Sequence, residues 1–349
     1  MDILHVTRPV PLAGLEDIPA PLADAAPVQA LLARCPVAAA TPLVDAPALA
    51  HASGVGKVWV KDERGRMGLG SFKALGAAHV IARDAAAGDV SGVTYVTASA
   101  GNHGMSVAAG AAAFGARAVV YIAETVPDTF AARLRAQGAD VIREGAMYEA
   151  SMEAAGQAAT DNGWTLLSDS SWEGYTEPPL RVMEGYLALM AEAVDQMPHA
   201  PSHIFLQAGV GGLAAACAVM ARKAWGDGPT IIVVEPSEAP ALHGSVVAGC
   251  PVESSGGVSE MGRLDCKMPS LIALKGLARD ADAYALITED EAQIGTQVAR
   301  DAGFASTPSG AAGFAALRAA DHLQRVGLGL NSASQVLCIL SEAAEDAAS

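Results

Sequence analysis

The sequence lacks the patterns that mark disulfide-rich, zinc-binding and exported proteins. Its five cysteines are scattered, with no CxxC or Cys/His spacing, so we expect neither a disulfide framework nor a metal site. Reduced thiols of this kind are typical of a cytoplasmic enzyme. The N-terminal segment, MDILHVTRPVPLAGLEDIPAP, has no basic region followed by an apolar run, and we therefore expect no signal peptide.

Positive charge and long apolar runs are also scarce. The chain of 349 residues has 22 lysines and arginines against 38 acidic residues, a net charge of −16. Such a surface repels phosphates, which argues against nucleic acids and anionic membranes as partners. Apolar runs such as residues 106–114 are short and alanine-rich, so we expect no membrane span.

Apolar residues, in contrast, are plentiful. Hydrophobic residues make up 51% of the chain and charged residues 17%, which suits a large core and argues against disorder. A chain of 349 residues is too long for most single cores and favours two lobes.

Short apolar segments alternate with helical segments along most of the chain, a pattern typical of parallel sheets covered by helices. One group of predicted strands comprises residues 93–98, 117–123, 139–143 and 165–168. A second group comprises residues 57–62, 203–207, 230–235, 284–287 and 336–340, with a helix predicted over 309–323. We predict an α/β fold with two domains: residues 1–75 and 180–349 form the large one, and residues 76–179 the small one.

A glycine-rich loop, Ala208-Gly209-Val210-Gly211-Gly212-Leu213, lies between a predicted strand and a predicted helix. Such a loop directs several N–H groups and a helix N-terminus towards one anion, but it can also be a simple connection. Its Gly209-x-Gly211-x-x-Ala214 spacing, with Glu235 ending the next strand, also matches the dinucleotide-binding fingerprint. This motif alone leaves a nicotinamide-dependent oxidoreductase open.

Two further segments carry candidate chemistry. In Thr97-Ala98-Ser99-Ala100-Gly101-Asn102-His103-Gly104, backbone amides could bind a carboxylate and the Asn102 amide a ring hydroxyl, although Gly-Asn is also common in turns. In Gly70-Ser71-Phe72-Lys73 the lysine stands among small and apolar residues. A lysine held in a cleft becomes a nucleophilic amine, whereas one at the surface is only a solvated charge.

Lys73 and the two loops, in this order on two α/β lobes, resemble the fold type II pyridoxal-phosphate enzymes of the threonine dehydratase-like group. Within that group the sequence is most similar to the diaminopropionate ammonia-lyase family. The most specific segment is Asp169-Ser170-Ser171-Trp172-Glu173-Gly174-Tyr175-Thr176, which resembles that family's Asp-x-x-Trp-Glu-Gly-Tyr-Thr signature. The resemblance extends over about residues 42–342 and implies a tryptophan synthase β-like fold with the cofactor, pyridoxal 5'-phosphate, in the cleft between the lobes.

The resemblance implies roles for individual residues. Lys73 is expected to bind the cofactor as a Schiff base and later to remove the Cα proton of the substrate. Asn102 is expected to contact the ring hydroxyl, and Ser341 the ring nitrogen. The cofactor phosphate is expected to bind to Gly209, Val210, Gly211, Gly212 and Leu213. The substrate carboxylate is expected to bind to backbone amides of Ser99, Ala100, Gly101, Asn102 and His103.

Three positions bear on the type of reaction. A hydroxyl such as that of Ser341 does not keep the ring nitrogen protonated as a carboxylate would, which favours β-elimination over transamination. Asp169 matches the family's carboxylate for the leaving group and would pair with a β-ammonium, although it could also cap a turn. Ala100 stands where the ammonia-lyase has an aspartate, so we expect D-isomers to be poor substrates.

The resemblance therefore implies a lyase that deaminates a small L-amino acid with a β-leaving group, such as 2,3-diaminopropionate, to a 2-oxo acid and ammonia. A threonine or serine dehydratase is the alternative with the same cofactor. A nicotinamide enzyme is the alternative from another class, but it leaves Lys73 and residues 169–176 without a role. The family also implies a homodimer and closure of the lobes on substrate binding.

Overall fold

The computed structural model describes residues 1–345. Its strands are β1 (Asp2–His5), β2 (Leu43–Asp45), β3 (Lys57–Asp62), β4 (Thr94–Ala98), β5 (Arg117–Ile122), β6 (Asp140–Arg143), β7 (Thr165–Leu166), β8 (His203–Gln207), β9 (Thr230–Pro236), β10 (Ala283–Ile287) and β11 (Gln335–Leu340). Its helices are α1 (Ala26–Leu32), α2 (Pro47–Ser53), α3 (Ala74–Ala87), α4 (Asn102–Ala113), α5 (Asp128–Ala136), α6 (Tyr148–Asn162), α7 (Glu177–Gln196), α8 (Gly212–Trp225), α9 (Ala241–Ala248), α10 (Leu271–Asp280), α11 (Glu289–Asp301), α12 (Pro308–Ala319) and α13 (His322–Leu328).

The strands form two separate sheets, which confirms the predicted α/β class. The larger has seven strands in the order β1-β10-β9-β8-β11-β3-β2, and the smaller has four in the order β6-β5-β4-β7. All pairs in the smaller sheet are parallel. In the larger sheet, only the edge pairs β1–β10 and β2–β3 are antiparallel. Central strands such as β8 are buried along their whole length, as expected for parallel strands covered by helices on both faces.

Sequence patterns located the central elements well and the peripheral ones poorly. The edge strands β1 and β2 were not predicted, because short antiparallel edges show no regular alternation. The predicted helix over residues 309–323 is wrong at its end: α12 stops at Ala319, and Asp321 begins α13 by forming a capping box with Gln324. Within residues 1–345, the helices are all too short or too polar to cross a bilayer.

A buried charge network fixes the segment that leads from β3 to α3. Arg66 is 1% exposed and its guanidinium lies 2.7 Å from carboxylate oxygens of both Glu63 and Glu192. The Lys61 ammonium lies 2.7 Å from the same Glu192. Buried charges of this kind are tolerated only when paired, so the network holds β3, the following 3₁₀ turn and α7 in one arrangement. The chain that continues to Lys73 therefore starts from a fixed point.

Candidate active site

The candidate residues follow the carboxyl ends of parallel strands, where ligands bind in open α/β sheets. Asn102 follows β4 and Asp169 follows β7 in the smaller sheet, whereas Gly209 follows β8 and Ser341 follows β11 in the larger sheet. Because β8 and β11 are neighbours, the glycine loop and Ser341 lie at adjacent positions. The two sheets thus present their candidate residues to one another.

Lys73 is placed in this site by backbone pairing with the end of β11. The Phe72 N–H donates to the Ser341 carbonyl at 3.1 Å, and Ser71 forms a β-bridge with Glu342. Lys73 itself directly precedes α3. Its ammonium forms an ion pair with Asp169, and the two side chains are only 23% and 18% exposed. The structure therefore brings together the two residues predicted to be catalytic.

The ion pair controls the charge of both groups. Burial acts to lower the pKa of Lys73, but the adjacent Asp169 carboxylate raises it further, and the pKa lies well above its ordinary value. For Asp169, burial acts to raise the pKa, but the adjacent Lys73 ammonium lowers it well below its ordinary value. Each partner stabilises the charged form of the other, so the pair is an ammonium and a carboxylate at neutral pH.

Tyr175 holds the segment that carries Asp169. Its hydroxyl accepts a hydrogen bond from the Ser168 N–H at 3.1 Å and donates one to the Leu166 carbonyl at 2.8 Å. Its ring stacks on Trp172, with the centroids 4.2 Å apart. The two aromatic residues of the signature therefore fix the turn after β7, and Tyr175 is a positioning residue for Asp169.

Two serines connect this segment to the glycine loop. The Ser171 and Ser270 hydroxyls lie 2.7 Å apart, and Ser171 accepts the Ile272 N–H at 3.0 Å, which caps α10. The Ser270 N–H donates to the Val210 carbonyl at 3.0 Å. Neither serine was among the predicted site residues, because hydroxyl residues in loops follow no recognisable spacing.

The glycine loop has the geometry of an anion cradle. Gly211 has φ +99°, a left-handed conformation that disfavours side chains, and α8 begins at the next residue. The first N–H groups of α8 have no acceptors within the helix and point out of its N-terminus. At Gly209, an added Cβ would lie 3.0 Å from the Cys266 sulfur, so the loop backbone packs closely against the segment around Cys266.

We predict that Gly211→Ala weakens this cradle. The substituted residue would keep a left-handed φ, which costs about 1–2 kcal/mol, and its Cβ would lie 3.0 Å from the Ala273 Cβ. Gly156→Ala in α6 is the control, because Gly156 has no heavy atom within 4 Å of an added Cβ and alanine favours a helix. Denaturant unfolding should show a lower free energy of unfolding for Gly211→Ala than for wild type, and no such decrease for Gly156→Ala. Equal stability of the two variants would contradict the strained geometry.

Asn102, the first residue of α4, contacts an unpredicted carboxylate. Its side-chain amide donates to Glu342, which also accepts a hydrogen bond from Thr307 and lies 2.9 Å from the Arg263 guanidinium. Glu342 is 4% exposed, and burial raises its pKa. It follows Ser341 directly, so a buried carboxylate lies beside the predicted hydroxyl contact. The signal that could have revealed it was an acidic residue two positions after the apolar segment of residues 336–340.

Two other side chains near the ion pair are inert in this arrangement. The imidazole of His103 is 5% exposed and its Nε2 lies 2.8 Å from the Leu167 carbonyl oxygen, while burial lowers its pKa. His103 is therefore a neutral packing residue. Burial and the nearby Asp169 raise the pKa of the Cys266 thiol to about 12, so Cys266 is protonated and not a nucleophile at neutral pH.

Glu235 is not available as the ribose-binding acid of the dinucleotide fingerprint. Its carboxylate is 1% exposed and accepts the N–H groups of Leu242 at 2.7 Å and His243 at 2.8 Å. Both oxygens thus bind the start of α9 and face no open site. A ribose hydroxyl has no access to this carboxylate, which removes the physical basis of the nicotinamide alternative.

Residues 36–342 match the family model described as pyridoxal-phosphate dependent enzyme. The chain belongs to this family. The match includes Lys73, the segment of residues 97–104, the glycine loop and Ser341, so the pyridoxal-phosphate interpretation is confirmed over the nicotinamide one. The cofactor of the family is pyridoxal phosphate.

Curated relatives and solved structures agree with this assignment. The chain is 32% identical to diaminopropionate ammonia-lyase from Escherichia coli over 88% of its own length and 85% of that protein. It is 33% identical to the Salmonella typhimurium enzyme of the same name over 69% of its length and 66% of that protein. The crystal structure of the Escherichia coli enzyme in complex with an aminoacrylate-PLP azomethine reaction intermediate superimposes with a TM-score of 0.86 at 29% identity, covering 98% of this chain and 93% of that one.

The residues of this pyridoxal-phosphate enzyme fit the cofactor. An aldehyde requires a primary amine, and Lys73 supplies one that is partly accessible. A phosphate requires convergent N–H donors, which the left-handed Gly211 and the start of α8 provide. In addition, the buried Tyr186 hydroxyl beside Lys73 has no hydrogen-bond partner among residues 1–345.

Proposed function

We propose that this chain is a pyridoxal-phosphate-dependent ammonia-lyase acting by α,β-elimination on a small L-amino acid with a β-ammonium group, such as 2,3-diaminopropionate. The products would be a 2-oxo acid and ammonia. The observation that carries this proposal is the partly buried ion pair between Lys73 and Asp169, because a carboxylate that already binds an ammonium in the cleft is suited to bind one from the substrate. The names of the Escherichia coli and Salmonella relatives support the same reaction.

Side chains and amides from both sheets would hold the cofactor. Lys73 would hold it covalently, Asn102 would contact its ring hydroxyl, Ser341 would face its ring nitrogen, and residues 209–213 would bind its phosphate. When bound, pyridoxal phosphate supplies an electron sink that makes the α-proton of an amino acid acidic. The remaining functions belong to the protein: binding, orientation, exclusion of water and proton transfer.

Lys73 would take the α-proton of the substrate. Its Nζ lies 5.4 Å from the ring centroid of Phe72 and 5.8 Å from that of Tyr186, and these rings exclude water from one side of the amine. The amides of residues 99–103, at the N-terminus of α4, would bind the α-carboxylate. A carboxylate held at this helix end and a base on Lys73 together define which face of the substrate loses its proton.

Asp169 discriminates between the leaving groups. A β-ammonium leaves as neutral ammonia when the carbon–nitrogen bonding electrons move to nitrogen, so it needs a charge partner and no added proton. A hydroxyl leaving group needs a proton from an acid. Because the pKa of Asp169 lies below its ordinary range, this residue is a good partner for an ammonium and a poor acid. The geometry therefore favours an amine over the hydroxyl of a threonine or serine dehydratase.

Ala100 determines the expected stereochemistry. Its methyl group cannot transfer a proton, and it occupies the loop before α4 where an acid or base could serve the opposite face of the substrate. The Ser-Ala-Gly-Asn-His order also resembles the L-specific dehydratases, which keeps a dehydratase as the second candidate function. Either enzyme would act on L-isomers only.

The expected substrate profile tests the proposal. Purified protein with pyridoxal phosphate should show a visible absorbance band that borohydride removes. Ammonia release should be fastest with L-diaminopropionate, slower with L-serine and L-threonine, and negligible with D-diaminopropionate. Faster turnover of L-threonine or L-serine would establish the dehydratase instead. A colourless protein that fails to bind added cofactor would refute both functions.

Four further features are proposed. Residues 1–75 and 180–349 would form the large domain and residues 76–179 the small one, in line with the two separate sheets; the lobes would close on the substrate. A homodimer is proposed from the family resemblance. A cytoplasmic location is proposed because all five cysteines are free thiols.

A further inference from the structure

The side chain of Tyr186 reaches the centre of the candidate site from α7. It is 1% exposed and packs edge-on against Phe72, with the ring centroids 4.9 Å apart. Its Cε1 would lie 2.7 Å from a Cβ added to Gly76, and its Cε2 lies 3.6 Å from one added to Gly212. The tip of the ring therefore lies between the first turns of α3 and α8.

The proton of the Tyr186 hydroxyl has no acceptor in the part of the chain that the structure describes. A buried hydroxyl without a partner costs about 1–3 kcal/mol. Phenylalanine would make the same ring contacts without this cost, so packing alone does not account for tyrosine here. A group that becomes a partner only on ligand binding does account for it.

The surroundings define the missing partner as an anionic acceptor. The tip of the ring lies beside the start of α8, whose first N–H groups have no acceptor within the helix. The Lys73 ammonium lies 5.8 Å from the ring centroid. Burial raises the pKa of Tyr186, and the ammonium only partly offsets this, so the hydroxyl remains a donor at neutral pH. The Asp169 carboxylate also acts on Tyr186, but it is already paired with the Lys73 ammonium. The groups near the ring tip that still lack a partner are therefore donors, which fit an anionic oxygen.

We propose that Tyr186 is a further cofactor-binding residue whose hydroxyl donates a hydrogen bond to an anionic oxygen of bound pyridoxal phosphate. This inference rests on the proposed roles of Lys73 and the glycine loop. The hydroxyl then has opposite effects in the two states of the protein. Without the cofactor it lowers the stability of the folded protein, and with the cofactor it strengthens cofactor binding.

Tyr186→Phe tests the inference, with Tyr284→Phe as a matched control. Tyr284 is also fully buried with an unpartnered hydroxyl, but it lies on β10, separated from β8 by β9. Cofactor-free Tyr186→Phe should unfold at the same or a higher denaturant concentration than wild type. Its dissociation constant for pyridoxal phosphate, measured by tryptophan fluorescence, should rise about tenfold. Tyr284→Phe should leave that constant unchanged.

The outcomes separate this inference from the proposed function. Wild-type protein that fails to bind pyridoxal phosphate would overturn the proposed function and the inference with it. Wild-type binding together with unchanged affinity in Tyr186→Phe would overturn the inference alone. A similar loss of affinity in both tyrosine variants would also overturn it, because the effect would then come from general packing.

Discussion

Lys73→Ala should abolish turnover and remove the visible absorbance band of the enzyme with its cofactor. Loss of a base alone lowers rates by about 10²–10⁴-fold, and this substitution also removes the amine that holds the cofactor. The carboxylate of Asp169, now partly buried without its ion-pair partner, would carry the cost of an unpaired charge. We therefore expect the variant to be less stable near neutral pH as well.

Lys223→Ala is the control for this prediction. Lys223 is an exposed residue of α8 whose ammonium donates to the Ala23 carbonyl, and its removal should leave both absorbance and turnover unchanged. Absorbance spectra and an ammonia-release assay measure the two effects. A Lys73→Ala protein that keeps a borohydride-sensitive band would show that another amine binds the cofactor.

Asp169→Asn should reduce turnover by about 10²–10⁴-fold while the cofactor stays bound. Asparagine keeps the shape of the side chain but cannot pair with the β-ammonium of the substrate. The substitution also changes Lys73, because the Asp169 carboxylate is the main cause of its raised pKa. With that charge removed, the pKa of Lys73 falls, and the amine becomes neutral and reactive at a lower pH.

The rate of cofactor uptake as a function of pH measures this second effect. In Asp169→Asn the curve should move to lower pH than in wild type, since only the neutral amine attacks an aldehyde. Asp161→Asn is the control, because Asp161 lies on the surface of α6 and accepts a hydrogen bond from Gln157. Unchanged turnover in Asp169→Asn would remove the carboxylate from the mechanism, and an unchanged pH curve would refute its control of Lys73.

Local patterns were sufficient for the fold class and for the type of each candidate residue. Alternating strands and helices predict parallel sheets because each element must bury one apolar face, and this requirement is visible along the chain. Lys73, the loop of residues 209–213 and the segment of residues 169–176 stand out for a similar reason. A charged residue among apolar neighbours and a cluster of glycines both destabilise a folded chain, so their presence suggests a binding role.

Contacts between residues that are distant in the sequence could not be predicted from such patterns. Glu342 and Arg263 are 79 residues apart in the chain, yet their side chains pair, and Asn102 donates to the same carboxylate. No local spacing predicts these contacts. Tyr186 lies in the apolar stripe of a long helix, where an aromatic residue is indistinguishable from core. Only the convergence of α3, α7 and α8 shows that its hydroxyl lies in the site.

The sequence by itself determined the chemistry available to this protein: one lysine in an apolar setting, amide-rich loops and a carboxylate in a specific signature. The tertiary structure decided the electrostatics, because charges act through space and not along the chain. It pairs Lys73 with Asp169 across two sheets, lowers the pKa of the carboxylate, and thereby favours an ammonium over a hydroxyl as the leaving group. It also places a buried donor on Tyr186 where the cofactor is expected to bind.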